Sequence, residues 1–159
     1  KKFLHKNGFE MVEISDGSIN IEHEKKCNLI EDFAKEFKVI SEVGSKNITA
    51  TTNSSEWIES MKNELDSGSW KVIAEAREAG NTGIFNSNGS IKSELVNTIT
   101  NNINPDDIIW EAPKKDQQVW FINRFGSNVN LGNISNNDVI SLECMRIGLR
   151  SDTFNHFLI

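Results

Sequence analysis

The chain has 159 residues, of which 37% are hydrophobic and 25% charged, and its formal net charge is -6. That length suits one domain with a sizeable core, and the charged fraction is ordinary for a folded soluble chain. The acidic balance argues against non-specific nucleic-acid binding, and no apolar run approaches the roughly 18 residues that a membrane helix needs. Residues 1–7 read as the end of a helix that passes through Gly8 into a first strand, 11–15. Leu29, Ile30, Phe33 and Phe37 then recur at helical spacing, followed by a β-branched strand at 38–43. Trp57, Ile58, Met61 and Leu65 mark a second helix, with Gly68 just past it, and 70–76 is the third strand. Ile91, Leu95, Val96, Ile99 and Ile103 give a third helix and 107–112 a fourth strand. Val119 and Ile122 define a shorter helix after Pro113, closed by Gly126, and 128–131 is the fifth strand. Val139, Leu142, Arg146 and Leu149 complete the series, with Asn136 or Asn137 placed to cap their helix. All four Trp residues fall in or beside apolar periodic positions and are expected in the core. Cys27 and Cys144 are far apart with no C-x-x-C partner, which argues against a disulfide framework or a zinc site. A reducing compartment, the cytoplasm, is therefore expected.

Strand–helix alternation with near-continuous apolar strands predicts βαβ units and a parallel α/β sheet. No G-x-G-x-x-G follows the first strand, which weakens a doubly wound dinucleotide-binding fold. The other candidate is a (β/α)8 barrel of the TIM type, which typically needs about 250 residues. Five units would be part of such a barrel, with roughly three at the N-terminal side outside the chain. Residues 1–159 are expected to form a single domain.

Four of the five strands carry a Glu near their C-terminal ends: Glu13, Glu42, Glu75 and Glu111. By alternation Glu42 shares a face with Ile40, Glu75 with Ile73 and Arg77, and Glu111 with Ile109. A carboxylate inside a parallel strand is expensive to bury unless it is paired or ligates a metal. One such Glu reads equally well as half of an ion pair. Four at equivalent positions suggest a shared mouth, where barrel enzymes keep their chemistry. Oxygen-only ligation suits Mg2+ or Mn2+. Lys46 and Arg77 stand at strand ends near these carboxylates, Lys114 and Lys115 follow the fourth strand, and Arg150 follows the last helix. Carboxylates and cations at one mouth suit an anionic substrate bridged by a divalent ion. Asn130-Leu131-Gly132-Asn133-Ile134 leads into a helix N-terminus, a place where backbone N–H groups favour phosphate. His5, His23 and His156 read as solvent-facing residues rather than ligands.

Six collinear motifs resemble the phosphosulfolactate synthase family, from about Gly8 to about Phe154. They are Val12-Glu13-Ile14-Ser15-Asp16-Gly17, Ser41-Glu42-Val43-Gly44-Ser45-Lys46, Glu75-Ala76-Arg77-Glu78-Ala79-Gly80, Ile109-Trp110-Glu111-Ala112-Pro113 with Gln117-Gln118-Val119, Val129-Asn130-Leu131-Gly132-Asn133-Ile134, and Gly148-Leu149-Arg150-Ser151-Asp152-Thr153. The resemblance implies a (β/α)8 barrel and a Mg2+-dependent addition of sulfite to phosphoenolpyruvate, giving (2R)-2-phospho-3-sulfolactate. It also implies a place in coenzyme M synthesis or in sulfolactate formation. Lys46 matches the family's proposed general acid. Glu42, Glu75, Glu111 and Asp16 are then candidate Mg2+ ligands, directly or through water. Arg77, Asn130, Asn133 and Arg150 are candidates for binding the substrate anions. The implied partners are phosphoenolpyruvate and sulfite, with neither nucleic acid nor membrane and with homo-oligomerisation open. Plant members described as heat-stress proteins supply the alternative, a non-catalytic stress-associated or binding relative. Retention of Lys46 and the four Glu residues favours catalysis. A lyase using Lys46 as a Schiff base is a second rival.

Overall fold

A computed structural model describes residues 1–16, 19, 21–44, 53–76 and 79–158. Its elements alternate as the sequence predicts. Helix α1 (Lys2–Lys6) leads into β1 (Met11–Ile14), then α2 (His23–Ala34), β2 (Lys38–Val43), α3 (Ser54–Asp66), β3 (Ser69–Ala74), α4 (Ser93–Thr100), β4 (Ile108–Glu111), α5 (Lys115–Phe125), β5 (Leu131–Gly132) and α6 (Val139–Arg146). Gly8, Gly68 and Gly126 have φ of 73°, 109° and 93°, so each turn out of a helix uses the left-handed region that glycine reaches without strain.

The five strands form one parallel sheet in chain order, β1-β2-β3-β4-β5. That is the outcome of successive right-handed βαβ crossovers. Alternation along the strands separates two faces. Val39, Ser41 and Val43 of β2, Val72 and Ala74 of β3, and Ile108 and Trp110 of β4 are buried. The apolar members from Val43 onward join one core with Trp57 and Met61 of α3, Leu95, Val96 and Ile99 of α4, and Phe121 and Ile122 of α5. Trp110 stacks on Phe121 and Phe125, with centroids 5.1 and 5.9 Å away, which seats α5 against β4. The intervening residues Ile40, Glu42, Ile73, Ile109 and Glu111 are only half-buried. The core thus lies between sheet and helices, and the opposite face is open.

Several local expectations are corrected. Trp57 and Trp110 are buried, but Trp70 is 45% exposed at the start of β3. The ammonium groups of Lys38 and Lys71 lie 4.1 and 4.7 Å from its ring centroid, so cations cover it rather than a helix. The turn before α6 is capped by Ser135, whose hydroxyl accepts from the N–H of Asn137, not by Asn136 or Asn137. The fifth strand pairs over only two residues, Leu131 with Trp110 and Gly132 with Glu111. Among the described residues no helix is long and apolar enough to cross a membrane.

Candidate active site

Alternation along β1, β2 and β4 puts Glu13, Glu42 and Glu111 on the open face. Glu13 lies level with Ile40 in the β1–β2 ladder, two residues before Glu42, and its acidity reports its surroundings. Glu13 is exposed, yet partial desolvation among its neighbours raises its pKa above the usual carboxylate value, and the charges of Glu42 and then Glu111 raise it further. Charges from adjacent and more distant strands therefore act on one group. Glu13 is a strand-end residue in the sequence, outside the expected ligand set of Glu42, Glu75, Glu111 and Asp16. Its place on the same face as Glu42, two residues lower in the ladder, is the signal for including it.

Each carboxylate is held by its own local contacts. Glu42 Oε1 accepts from the Ser15 hydroxyl at 2.8 Å, which fastens the end of β2 to the segment after β1. Glu111 Oε2 accepts from the backbone N–H of Ala76 at 2.7 Å, just past β3. Glu75 is buried beside Gly44, where an added Cβ would stand 2.6 Å from Glu75 Cβ and 2.8 Å from Oε2. Gly44 is thus the space that Glu75 occupies. Asp16 is half-buried after β1, with Oδ1 3.5 Å from Lys26 Nζ.

The segment following β3 folds back over that strand's end. Gly83, at φ 61°, packs against the carbonyl of Glu75, and the Thr82 hydroxyl donates to the carbonyl of Ala76. Gln117, 1% exposed at the start of α5, donates from Nε2 to the carbonyls of Gly80 and Gly89 and accepts from the N–H of Lys114. One buried amide therefore ties the β3–α4 connection to the end of β4, close to Glu75 and Glu111.

Other expected residues are distributed differently. Lys46 and Arg77 lie outside the described residues. Asn133 is at the C-terminal end of β5, with φ 55°, a conformation Asn tolerates better than other non-glycine residues. Asn130 is not brought to the carboxylates. Its Nδ2 donates to the carbonyls of Asp106 and Ile108 at the beginning of β4, so its amide secures the opposite edge. It lines a cleft of about 480 Å3 with Trp70, Lys71, Ile109, Leu131 and Arg146, and none of the strand-end Glu residues borders that cleft. Arg150 is exposed beyond α6, near Asp152, whose carboxylate is paired with Lys115 at 2.7 Å. Of the histidines, His5 is bound to Glu36 at 2.7 Å and His23 lies 3.3 Å from Glu64. Among the described residues no three acidic, imidazole or thiol groups stand close enough to enclose a metal ion directly.

A model of the (2R)-phospho-3-sulfolactate synthase (ComA) family matches residues 2–152. The chain belongs to the phosphosulfolactate synthase family. It is 44% identical over 150 residues to the phosphosulfolactate synthase of Bacillus subtilis, a match covering 92% of this chain and 60% of that protein. The enzyme of the same name from Methanothermobacter thermautotrophicus is 44% identical over 150 residues, covering 92% and 58%. That from Methanocaldococcus jannaschii is 44% identical over 154 residues, covering 94% and 61%. The chain spans about three-fifths of the length of these relatives. Its five-stranded parallel sheet with alternating helices is of the (β/α)8-barrel type and covers five of the barrel's units.

Proposed function

We propose that the full-length protein is a lyase that adds sulfite to phosphoenolpyruvate to form (2R)-2-phospho-3-sulfolactate, with this chain supplying one domain's five C-terminal βα units. The observation that carries the reading is that Glu13, Glu42 and Glu111 share one open sheet face, where the charges of the latter two act on Glu13, in a chain of this family. Repelling carboxylates are costly to keep together unless a cation offsets them. Mg2+ usually keeps several waters and binds through one or two carboxylates plus substrate oxygens, which suits a cluster that does not enclose a metal directly.

In this reading Glu42, Glu75, Glu111, Asp16 and Glu13 are the groups available to hold Mg2+, directly or through water. Mg2+ bound there would supply positive charge to offset the negative charge that develops on the phosphoenolpyruvate carboxylate. Sulfite uses its sulfur lone pair to form the C–S bond at C3, while the C2–C3 π pair shifts toward the carboxylate. Lys46 then delivers a proton to C2 from one face, which fixes the R configuration. Arg77, Asn133 and Arg150 are the groups available for the phosphate and sulfite oxygens. This reading leaves Asn130 out of that set, because its amide is engaged by the carbonyls of Asp106 and Ile108. Glu42 is oriented by Ser15 and Glu111 by Ala76, which leaves the carboxylates pre-positioned before substrate arrives. Both substrates are small metabolites, and a cytoplasmic location goes with the reading.

The test is sulfite-dependent loss of phosphoenolpyruvate by the full-length protein with Mg2+, followed by identification of the product. Loss of phosphoenolpyruvate with formation of the R sulfonate supports it. Binding of phosphoenolpyruvate without turnover would favour the non-catalytic relative, and a borohydride-trapped adduct at Lys46 the Schiff-base lyase.

A further inference from the structure

Lys26 on α2 and Glu64 on α3 are 3% and 1% exposed. Neither charge can be removed from water cheaply unless it is paired and hydrogen-bonded. An ammonium has three N–H donors, and three acceptors from three parts of the chain surround this one. Glu64 Oε1 is 2.8 Å from Nζ, the backbone carbonyl of Glu42 accepts a hydrogen bond from it, and Asp16 Oδ1 is 3.5 Å away. Glu64 Oε2 is buried and has no hydrogen-bond partner among the described residues. For stability alone this is a poor arrangement, because two well-packed apolar side chains would need no partners.

What the ammonium does, and an apolar side chain could not, is reach past Glu64 to the ends of β1 and β2. Asp16 and the Glu42 carbonyl meet at Lys26, while the Glu42 carboxylate is held by the hydroxyl of Ser15, the residue beside Asp16. The segment 15–16 and residue 42 are therefore fastened together twice, once through the Lys26 ammonium and once through the Ser15 hydroxyl. We infer that Lys26, braced by Glu64, is a positioning residue: it fixes the Glu42 main chain and the Asp16 carboxylate so that the Glu42 side chain is presented on the open face. The inference deepens the synthase reading and rests on it for its assay.

The discriminating variant is Lys26→Met with Glu64→Leu in the full-length protein. Removing both charges should leave a cooperative melt near or above the wild-type temperature, since no unpaired charge remains buried: Asp16 and His23 lose a partner but both reach water. Yet kcat should fall at least 10-fold, with KM for phosphoenolpyruvate changed less than 3-fold. A folded double variant with kcat within 2-fold of wild type would show that the pair serves packing alone, and the inference would be overturned. Should the apolar pair lose its cooperative melt, Lys26→Gln with Glu64→Gln keeps hydrogen bonds without the charges and is read by the same two limits. If the wild-type protein itself shows no turnover, the synthase reading fails. Positioning is then read from amide hydrogen exchange over residues 38–44 of the folded double variant. Exchange at least 10-fold faster than in the wild type supports it, and unchanged exchange overturns it.

Discussion

The backbone N–H of Ala76 donates to Glu111 Oε2 at 2.7 Å, joining the chain just past β3 to the carboxylate at the end of β4. Ala76 is buried, so its N–H has no ready substitute in water. Glu111→Ala should therefore destabilise the protein by about 1–3 kcal/mol, the cost of leaving a buried donor unsatisfied. Glu111→Gln keeps an acceptor oxygen and should remain within about 1 kcal/mol of wild type. Both remove the negative charge, and both should lower synthase activity if that charge acts in the site. Urea unfolding beside activity separates the two effects. Equal stability loss in both variants would show that the hydrogen bond carries little of the carboxylate's role in the fold.

Gly83 and Gly8 share a left-handed backbone but not a common environment. Gly83 has φ 61°, and an added Cβ would fall 1.9 Å from the carbonyl oxygen of Glu75. Gly8 has φ 73°, and nothing stands within 4 Å of its added Cβ. Gly8→Ala should thus cost only the left-handed penalty of about 1–2 kcal/mol. Gly83→Ala adds overpacking against backbone and should cost about 2–4 kcal/mol or more. It should also displace Glu75, so that activity falls before global unfolding. Chemical denaturation of the two variants in parallel tests this, and an equal cost at both sites would contradict it.

The sequence was readable wherever the physics was local. Apolar periodicity located the first four strands, and the fifth, expected at 128–131, pairs only over Leu131–Gly132, while alternation pointed the strand-end Glu residues to one face. Lys26 and Glu64 were harder, because their pairing depends on how α2 packs on α3. A trace of it was nonetheless present. Lys26 stands four residues before Ile30, and Glu64 three after Met61, so each charge sits on its helix's buried stripe. Asn130 misled because Asn before a helix N-terminus suits a phosphate loop as well as a structural amide. Only the tertiary placement of Asp106 and Ile108 decides between them. Trp70 misled for a related reason. Its apolar neighbours describe a strand, but no helix covers the strand's first turn, and two lysines do so instead.

Lys46 belongs to the proposed chemistry through its motif. If it is the general acid, it must bind substrate as an ammonium and release a proton only after sulfite has added, when C2 carries carbanion character. Its loss should then fall on the chemical step. Lys46→Ala should lower kcat roughly 100-fold or more, with little change in Mg2+ affinity. Lys46→Arg should fail almost as badly, because a guanidinium keeps its charge and hardly gives up a proton. Steady-state kinetics of the full-length variants decide the matter. A near-wild-type kcat for Lys46→Arg would leave Lys46 a purely electrostatic role.

Glu13 gives the cluster a pH signature. Although the residue is exposed, partial desolvation, then the Glu42 and Glu111 charges, raise its pKa above the ordinary carboxylate value. The folded protein accordingly takes up the Glu13 proton more readily than the unfolded chain. Stability linked to that protonation is present in full below the unfolded value of about 4.3 and is lost as pH rises through the higher folded value. At neutral pH the ionised Glu13 therefore works against the fold. Glu13→Gln removes that charge, so in metal-free buffer the variant should melt above wild type at pH 7. The gap should close as the pH falls toward 4, where wild-type Glu13 is itself neutral. Adding Mg2+ should raise the wild-type melting temperature more than that of Glu13→Gln if the three carboxylates share the ion. Melting curves across pH, with and without Mg2+, test both statements. A pH-independent gap would show that Glu13 does not feel its neighbours' charges, and a variant less stable than wild type at pH 7 would show that its carboxylate is held by a favourable contact.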